Sequence, residues 1–540
     1  MDKIKYFIIH YKLHFSAAAA VLFYIIYKIK RSKYIYPADL FSEASNIMLL
    51  LLLVAIWLFI TVYFFMQTFY SDQTGGRNYM MDRIHYHRSY YDLIRYFKDA
   101  DPYLITFPNA NEGSIYKYNK KTIAYRQSWK DVEGIILGRK NGQIIRRSGL
   151  DNKDGGNLAL FALPGSGKTT SQIIPSALQF GGSVLAIDIK GDIYRVANLK
   201  RNIRVFAPDD PENSCRYNPL SGIDKLSITE RRSFVEQMAA VLVPEEKDGK
   251  YFTDGARDFF CGISLYLMRE DIRITLPEIS RHILQGNAFD WVIRIKESDC
   301  IEAQEFTNSY FGSNEKNVAG AYGGIAKSVR PFATGELSNL LSDDGSCISP
   351  DDLMNGRDIY IIIPQDKIKL YAPITTILVQ NFMTAFMKRT DNSSGEAIQP
   401  VLFLLDEFAQ LHFDPGVISA AFSTLRSKRV SIFIAMQSLA QLEKNYGELG
   451  CREIIDCCSY LSCMGVQDYK SREFFQKLIG SRKVLRISTN ENGDSQDGTS
   501  TIEAREPIFQ PELLGNLEDR VLIYAQGKYT FAEKTPFYDV

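Results

Sequence analysis

From residue 157 onward the chain alternates short apolar runs with stretches of helical spacing. Runs at 157–162, 183–188, 203–208, 359–364, 401–406 and 431–436 are apolar with no in-and-out alternation of polarity. Strands of this kind are buried on both faces. The pattern therefore predicts a parallel sheet covered on each side by helices, an α/β doubly wound domain. The interval 224–349 lacks strand patterning. Phe252, Ala256, Phe259, Ile263 and Leu267 recur at helical spacing, as do Phe234, Met238 and Val241 or Leu242. The reading is an all-α module inserted in the sheet domain. Near its end "AGAYGGIAKS" (319–328) is read as a flexible turn, with a hinge or a close-packing site as alternatives. The polar "STNENGDSQDGTS" (488–500) is read as an exposed loop between two late strands.

The first 70 residues follow another pattern. Residues 44–66 carry no charge and as a helix reach about 34 Å, enough to cross a bilayer. Trp57 and Tyr63 fall inside this run, and Tyr70 follows it at headgroup height. An earlier apolar run, 15–27, is short and reaches spanning length only if it extends back to 11 with Lys12 snorkelling. Spans at about 11–27 and 44–66 make a transmembrane helical hairpin. A cleaved signal peptide headed by Lys3 and Lys5 is the alternative, but no small-residue cleavage site follows Tyr27. Residues 71–156 read as a juxtamembrane lead-in to the sheet domain, with a helix suggested by Ile84, Tyr91 and Ile94 or Arg95. His85 and His87 have no third ligand nearby, so no metal is expected there.

Composition adjusts this picture in three ways. At 540 residues the chain is too long for one core, so two or three folded units are expected. With 63 basic and 63 acidic residues it has no net field to attract nucleic acid. Any such contact must come from a local stripe or an assembled pore. The eight cysteines form no C-x-x-C pair and read as reduced, buried thiols rather than a metal site.

The candidate chemistry lies where the first of the six runs ends. "FALPGSGKTT" (161–170) keeps the second half of the phosphate-loop pattern G-x-x-x-x-G-K-[ST] but has Ala162 at its first glycine. A methyl group is tolerated at that strand end, because the cradle comes later. Pro164, Gly165, Ser166, Gly167, Lys168, Thr169 and Thr170 would wrap the phosphates with backbone N–H groups and a helix N-terminus. Lys168 would reach the β- and γ-phosphates, and Thr169 would hold Mg²⁺. A second motif, "VLFLLDEF", sets Asp406 and Glu407 at the end of a central strand. Asp406 is assigned to the Mg²⁺ shell and Glu407 to orienting and deprotonating the attacking water. Gln437 ends the next strand, placed to sense the γ-phosphate. Arg426 could stabilise transition-state charge in its own site or a neighbour's, or be a surface-helix charge. ATP and Mg²⁺ are the expected ligands. A nucleotide site must face the cytoplasm, so two spans with the N-terminus inside are required. That leaves Lys28, Lys30, Arg31 and Lys33 in the outer loop, against the positive-inside rule.

At these motifs the chain resembles the type IV coupling proteins, the TraG/TraD-type ATPases of bacterial conjugation and type IV secretion. The likeness rests also on "LAIDIKGDIY" (Asp188, Lys190, Gly191), "YNPL" (Asn218, Pro219), "YFTDGARDFF" (Gly255, Ala256, Arg257) and "RSKRVSIFIAMQSLAQLEKNYG". It covers nearly the whole chain: the hairpin (1–70), a RecA-like P-loop NTPase domain (157–223 and 350–540) and an inserted all-α domain (224–349). Lys168, Thr169, Asp406, Glu407, Arg426 and Gln437 match the family's nucleotide-site positions. The resemblance implies a multi-pass protein of the bacterial inner membrane with its soluble part in the cytoplasm. It further implies a homo-hexamer with nucleotide at subunit interfaces and a central channel. Its implied partners are inner-membrane secretion components and either a relaxase–single-stranded DNA complex or secreted effector proteins. No long acidic tail follows Val540, so tail-mediated docking is not expected. The alternatives are a membrane DNA translocase of the FtsK or HerA sort and a substrate-recruiting receptor with slow hydrolysis.

Overall fold

The computed structural model describes residues 127–147, 156–245, 249–391, 398–490 and 498–538. The two expected spans, the helix near residue 90, and His85 and His87 lie outside them. Thirteen strands are found among the described residues. In chain order they are β1 (Ile135–Lys140), β2 (Gln143–Arg147), β3 (Asn157–Phe161), β4 (Ser183–Ile189), β5 (Ile203–Phe206), β6 (Asp358–Ile363) and β7 (Val401–Leu405). Then come β8 (Val430–Met436), β9 (Cys458–Cys463), β10 (Ser481–Asn490), β11 (Gly498–Pro507), β12 (Arg520–Ala525) and β13 (Lys528–Glu533).

Eleven of them form one sheet in the order β2-β1-β13-β12-β9-β3-β8-β7-β4-β6-β5. From β9 to β5 every pair is parallel. The six strands expected from the apolar runs are all in this block. Their lack of alternation has a direct cause, because each face carries its own core. Leu158, Leu160, Val184, Ala186, Leu402 and Leu404 point to one side. Ala159, Phe161, Leu185, Ile187, Phe403 and Leu405 point to the other. Helices α1 (Ile174–Gln179) and α2 (Asp192–Ala197) close the first face through Ile174, Ala177, Ile193 and Ala197.

Of the remaining strands, only the two late ones flanking the polar 488–500 stretch were expected. β12, β13, β1 and β2 extend the sheet as an antiparallel wing beyond β9. Residues 135–147 are therefore part of the main sheet, which corrects their reading as lead-in. Two tight hairpins build the wing, one at Asn141-Gly142 (φ 49° and 79°) and one at Gln526-Gly527 (φ 50° and 76°). Both turn residues must be left-handed in such two-residue hairpins, and Asn-Gly favours this strongly. β10 and β11 make a separate two-stranded ribbon. The ends of the polar 488–500 stretch belong to its ladder, from Ser488↔Ser500 to Asn490↔Gly498.

Between β5 and β6 the chain is helical: α3 (Ile228–Leu242), α4 (Lys250–Glu270), α5 (Leu276–Gln285), α6 (Ala288–Glu297), α7 (Ile301–Thr307), α8 (Glu315–Ala333) and α9 (Gly335–Leu340). "AGAYGGIAKS" lies in the middle of α8, so it is not a turn. Its small residues let α8 approach α4 closely. A Cβ on Gly255 would stand 2.7 Å from the Ala321 methyl, and one on Gly324 3.1 Å from the Ala256 methyl. The "YNPL" segment forms the neck of this lobe. Asn381 donates to the Tyr217 hydroxyl (2.9 Å) and to the Pro219 carbonyl (3.0 Å). Asn218 donates to Asp343 on the returning segment of the neck (3.2 Å). After α10 (Pro350–Met354), Asn381 belongs to α11 (Ile368–Met387). The apolar segment Gln365–Met387 is the candidate membrane span among the described residues, and it is instead largely buried in the core. Ile374, Leu378, Phe382 and Phe386 have no exposed surface.

Candidate nucleotide site

β3 sits between β8 and β9 and delivers the phosphate loop at the carboxyl edge of the parallel block. The first-glycine position directly follows the strand. Ala162 N–H donates to the Met436 carbonyl (2.9 Å), and its methyl group is fully buried in the core. That explains the departure from the generic pattern, since nothing at this position faces a ligand. The loop turns next. Leu163 N–H donates to Gly465 O (3.1 Å), and Ser166 N–H to Leu163 O (3.1 Å). Gly165 and Gly167 are left-handed, with φ 77° and 86°. A Cβ on Gly165 would meet nothing within 4 Å, so that glycine is required by conformation rather than by space. Pro164 and Gly165 are exposed, and Ser166 to Thr170 are half-buried. A wide π-helical turn, Thr169–Ile173, then leads into α1.

β7 lies two strands from β3, with β8 between them. Asp406 at its end is 5% exposed. The chain then bends sharply at Glu407, which is left-handed at φ 53°. A side chain in this region costs on the order of 1 kcal/mol or more, and such strain collects at functional sites. The Glu407 N–H donates back to Asp406 Oδ1 (3.0 Å). The Lys168 ammonium lies 2.6 Å from Asp406 Oδ1 and 2.5 Å from Glu407 Oε1. Burial opposes its charge, but the two carboxylates outweigh burial and hold its pKa above the ordinary lysine value. Burial pushes the Asp406 carboxyl upward, and Lys168 offsets part of this. Gln437, at the end of β8, points its amide at Glu407 Oε2 (3.4 Å). Lys168, Asp406, Glu407 and Gln437, distant in sequence, thus form one cluster at the loop mouth.

Arg426 does not join them. It is exposed on the turn Leu425–Lys428 that precedes β8, whereas Gln437 follows β8. The strand's seven residues put about 23 Å between the two ends. Action of Arg426 in its own site is thereby ruled out.

Two parts of the site were not foreseen. Asp188, at the carboxyl end of β4, is 1% exposed. Burial raises its pKa to about 6, with the charge of Asp406 adding to the shift and the N–H groups of Tyr194 and Ile193 opposing it. The other part is a strap made by the last described residues. Thr535 Oγ1 donates to Ser171 O (2.9 Å) and Phe537 N–H to Thr170 O (2.8 Å). The Lys534 ammonium donates to Ser166 O (2.7 Å) and Glu518 O (2.5 Å). A cleft of about 500 Å³ opens between strap and phosphate loop, lined by Gly165, Thr170, Asn516, Asp519 and Tyr538 among others. Its size lies within the usual range of small-molecule sites. No sequence motif announces a strap that comes from the far end of the chain.

A phosphate loop on a central parallel strand, facing an acidic pair two strands away, defines a RecA-like P-loop fold, here with a mixed sheet and a helical domain. The chain belongs to the type IV secretory system conjugative DNA transfer family, whose profile matches residues 114–538. Among curated relatives, protein VirD4 of Rhizobium rhizogenes is 25% identical over 424 residues, covering 74% of this chain and 61% of the relative. The probable conjugal transfer protein TraG of Sinorhizobium fredii is 23% identical over 466 residues, covering 81% and 69%. The chain spans about three fifths of the length of the VirD4 relatives it matches. Among solved structures, the unbound bacterial conjugative coupling protein TrwB superposes with a TM-score of 0.58 at 14% identity, covering 79% of this chain and 91% of that one. TrwB in complex with ADP and Mg²⁺ gives 0.56, also at 14% identity, covering 79% and 92%.

Proposed function

We propose that this chain is a membrane-anchored ATPase that passes a substrate to a type IV secretion channel, driven by ATP hydrolysis. One observation carries the reading: Lys168 bridges both carboxylates of the acidic pair at the mouth of the phosphate loop. An ammonium so placed is where β- and γ-phosphates must compete for it. On their arrival Lys168 turns to the phosphate oxygens and frees Glu407. Glu407, held by its bent backbone and by Gln437, is then positioned to take a proton from the attacking water. The strap cleft beside the loop takes the nucleoside. The donors present suit Mg²⁺, which prefers hard oxygen ligands and keeps several of its waters. Thr169 and Asp406 would hold it, and the buried oxygen of Asp188 fits the same chemistry. Bound there, Mg²⁺ neutralises phosphate charge.

The domain division expected from the sequence remains part of the proposal, with the motor domain now beginning by residue 135. So do the hairpin at 11–27 and 44–66, the inner-membrane location and the hexameric ring. The family's conjugative DNA transfer and the conjugal transfer relative TraG favour a DNA substrate, for which the expected form is a relaxase–single-stranded DNA complex, over effector proteins. The test is ATP turnover with Mg²⁺ and single-stranded DNA at high protein concentration. Glu407→Gln retains ATP binding while turnover falls roughly 10²–10⁴-fold, the usual weight of a general base. Wild-type turnover in that variant rejects the assignment.

A further inference from the structure

The cap that Asp188 provides does not explain its charge. Its Oδ2 accepts the N–H of Tyr194 at the start of α2 (2.7 Å). The cap reaches across Lys190 and Gly191, left-handed at φ 89° and 74°. Asparagine caps a helix as well as aspartate does, without the cost of burying an anion. Yet the side chain is an aspartate with 1% exposure, and its other oxygen, Oδ1, is buried with no hydrogen-bond partner among the described residues.

Its position supplies what the cap does not. β4 and β7 are parallel neighbours with Ile187 opposite Leu405. One residue further on, Asp188 stands beside Asp406. Alternate residues of a strand share a face, and Ala186 and Leu404 lie on the face that packs Ile173 and Ile174 of the phosphate-loop helix. Both carboxylates therefore project toward the loop helix.

We propose that Asp188 is a positioning residue of the nucleotide site, its Oδ1 accepting a hydrogen bond from a water on the Mg²⁺ held by Thr169 and Asp406. This rests on the nucleotide reading above. An ion that retains most of its waters needs acceptors for them, and such outer partners set the orientation of its ligands. Asp188 acts through that water. Its other oxygen ties the same carboxylate to the N-terminus of α2.

The test uses the full chain in detergent, a fluorescent ADP analogue and a MgCl₂ titration. In the wild type Mg²⁺ tightens ADP-analogue binding. In Asp188→Asn, binding in EDTA is unchanged. The Mg²⁺ concentration for half effect rises roughly 10–100-fold, the usual loss on removing an outer-shell partner. The metal- and nucleotide-free variant melts no lower than wild type, because the cap is kept and a buried charge is gone. Asp188→Ser, also able to cap, behaves alike. An unchanged Mg²⁺ midpoint in either variant overturns the proposal, as does failure of both to fold, which assigns the carboxylate to the fold alone. A wild type that binds the analogue without any response to Mg²⁺ removes the nucleotide–metal reading itself, and the variants are then not needed.

Discussion

Lys168 holds two carboxylates before any phosphate reaches it, and all three side chains are largely out of water, at 15%, 6% and 14% exposure. Such a triad costs little while complete and much when broken, because each charge has given up its hydration. Lys168→Ala should therefore do more than abolish phosphate binding. It leaves Asp406 and Glu407 facing one another without a cation, and removing one partner of a buried pair typically costs about 3–5 kcal/mol. The nucleotide-free variant is expected to melt at a clearly lower temperature than wild type, as well as losing affinity for ATP and ADP. Wild-type melting would mean that the bridge contributes nothing to the resting fold. Normal ATP affinity would mean that this loop is not a phosphate cradle.

At the scale of elements, the contact between α4 and α8 separates two uses of glycine that the sequence runs together. Gly255 has no room for a methyl group, with Ala321 Cβ at 2.7 Å and the Tyr310 hydroxyl at 3.1 Å. Gly323, in mid-α8, would meet nothing within 4 Å. Gly255→Ala should destabilise by about 1–3 kcal/mol through overpacking, whereas Gly323→Ala should stabilise by about 0.5–1 kcal/mol through helix propensity. Denaturant melts of the two variants read the signs directly, and equal effects would refute the close-packing account. The same contrast shows what the sequence could disclose. Strands buried on both faces, such as β7 (Val401–Leu405), announce themselves by apolar runs, and the site clusters at their ends. β9 reads Cys-Ser-Tyr-Leu-Ser-Cys; broken by serines, it gives no such signal. The β1–β2 hairpin carries a turn signal, the Asn141-Gly142 pair, but the apolar run before it is too short to read as a strand. In the sequence Asp188 is legible only as part of the "LAIDIKGDIY" motif. Its unpaired oxygen and its place beside Asp406 follow from strand order, which local sequence does not specify.

For the whole molecule, the position of Arg426 decides how the sites can work. It lies at the amino-terminal end of β8, a strand's length from Gln437 and the loop mouth, and it is exposed. If it stabilises transition-state charge, it does so in another copy of the chain. That requires a head-to-tail arrangement, in which the carboxyl edge of one sheet meets the opposite edge of the next and the ring closes on itself. Such a ring has a consequence that a monomeric ATPase does not. Arg426→Ala protomers retain a complete Lys168–Asp406–Glu407 cluster but cannot serve a neighbour. Lys168→Ala protomers cannot use their own site but still present Arg426. Each variant alone should be inactive or nearly so. Mixed in equal parts and allowed to exchange, the two should regain turnover, because about a quarter of the head-to-tail interfaces then pair an intact loop with an intact arginine. A series of mixing ratios should give greatest activity near equal proportions. Activity that stays at the sum of the separate variants at every ratio would return Arg426 to the surface charge its exposure alone suggests. Full turnover by Arg426→Ala on its own would do the same.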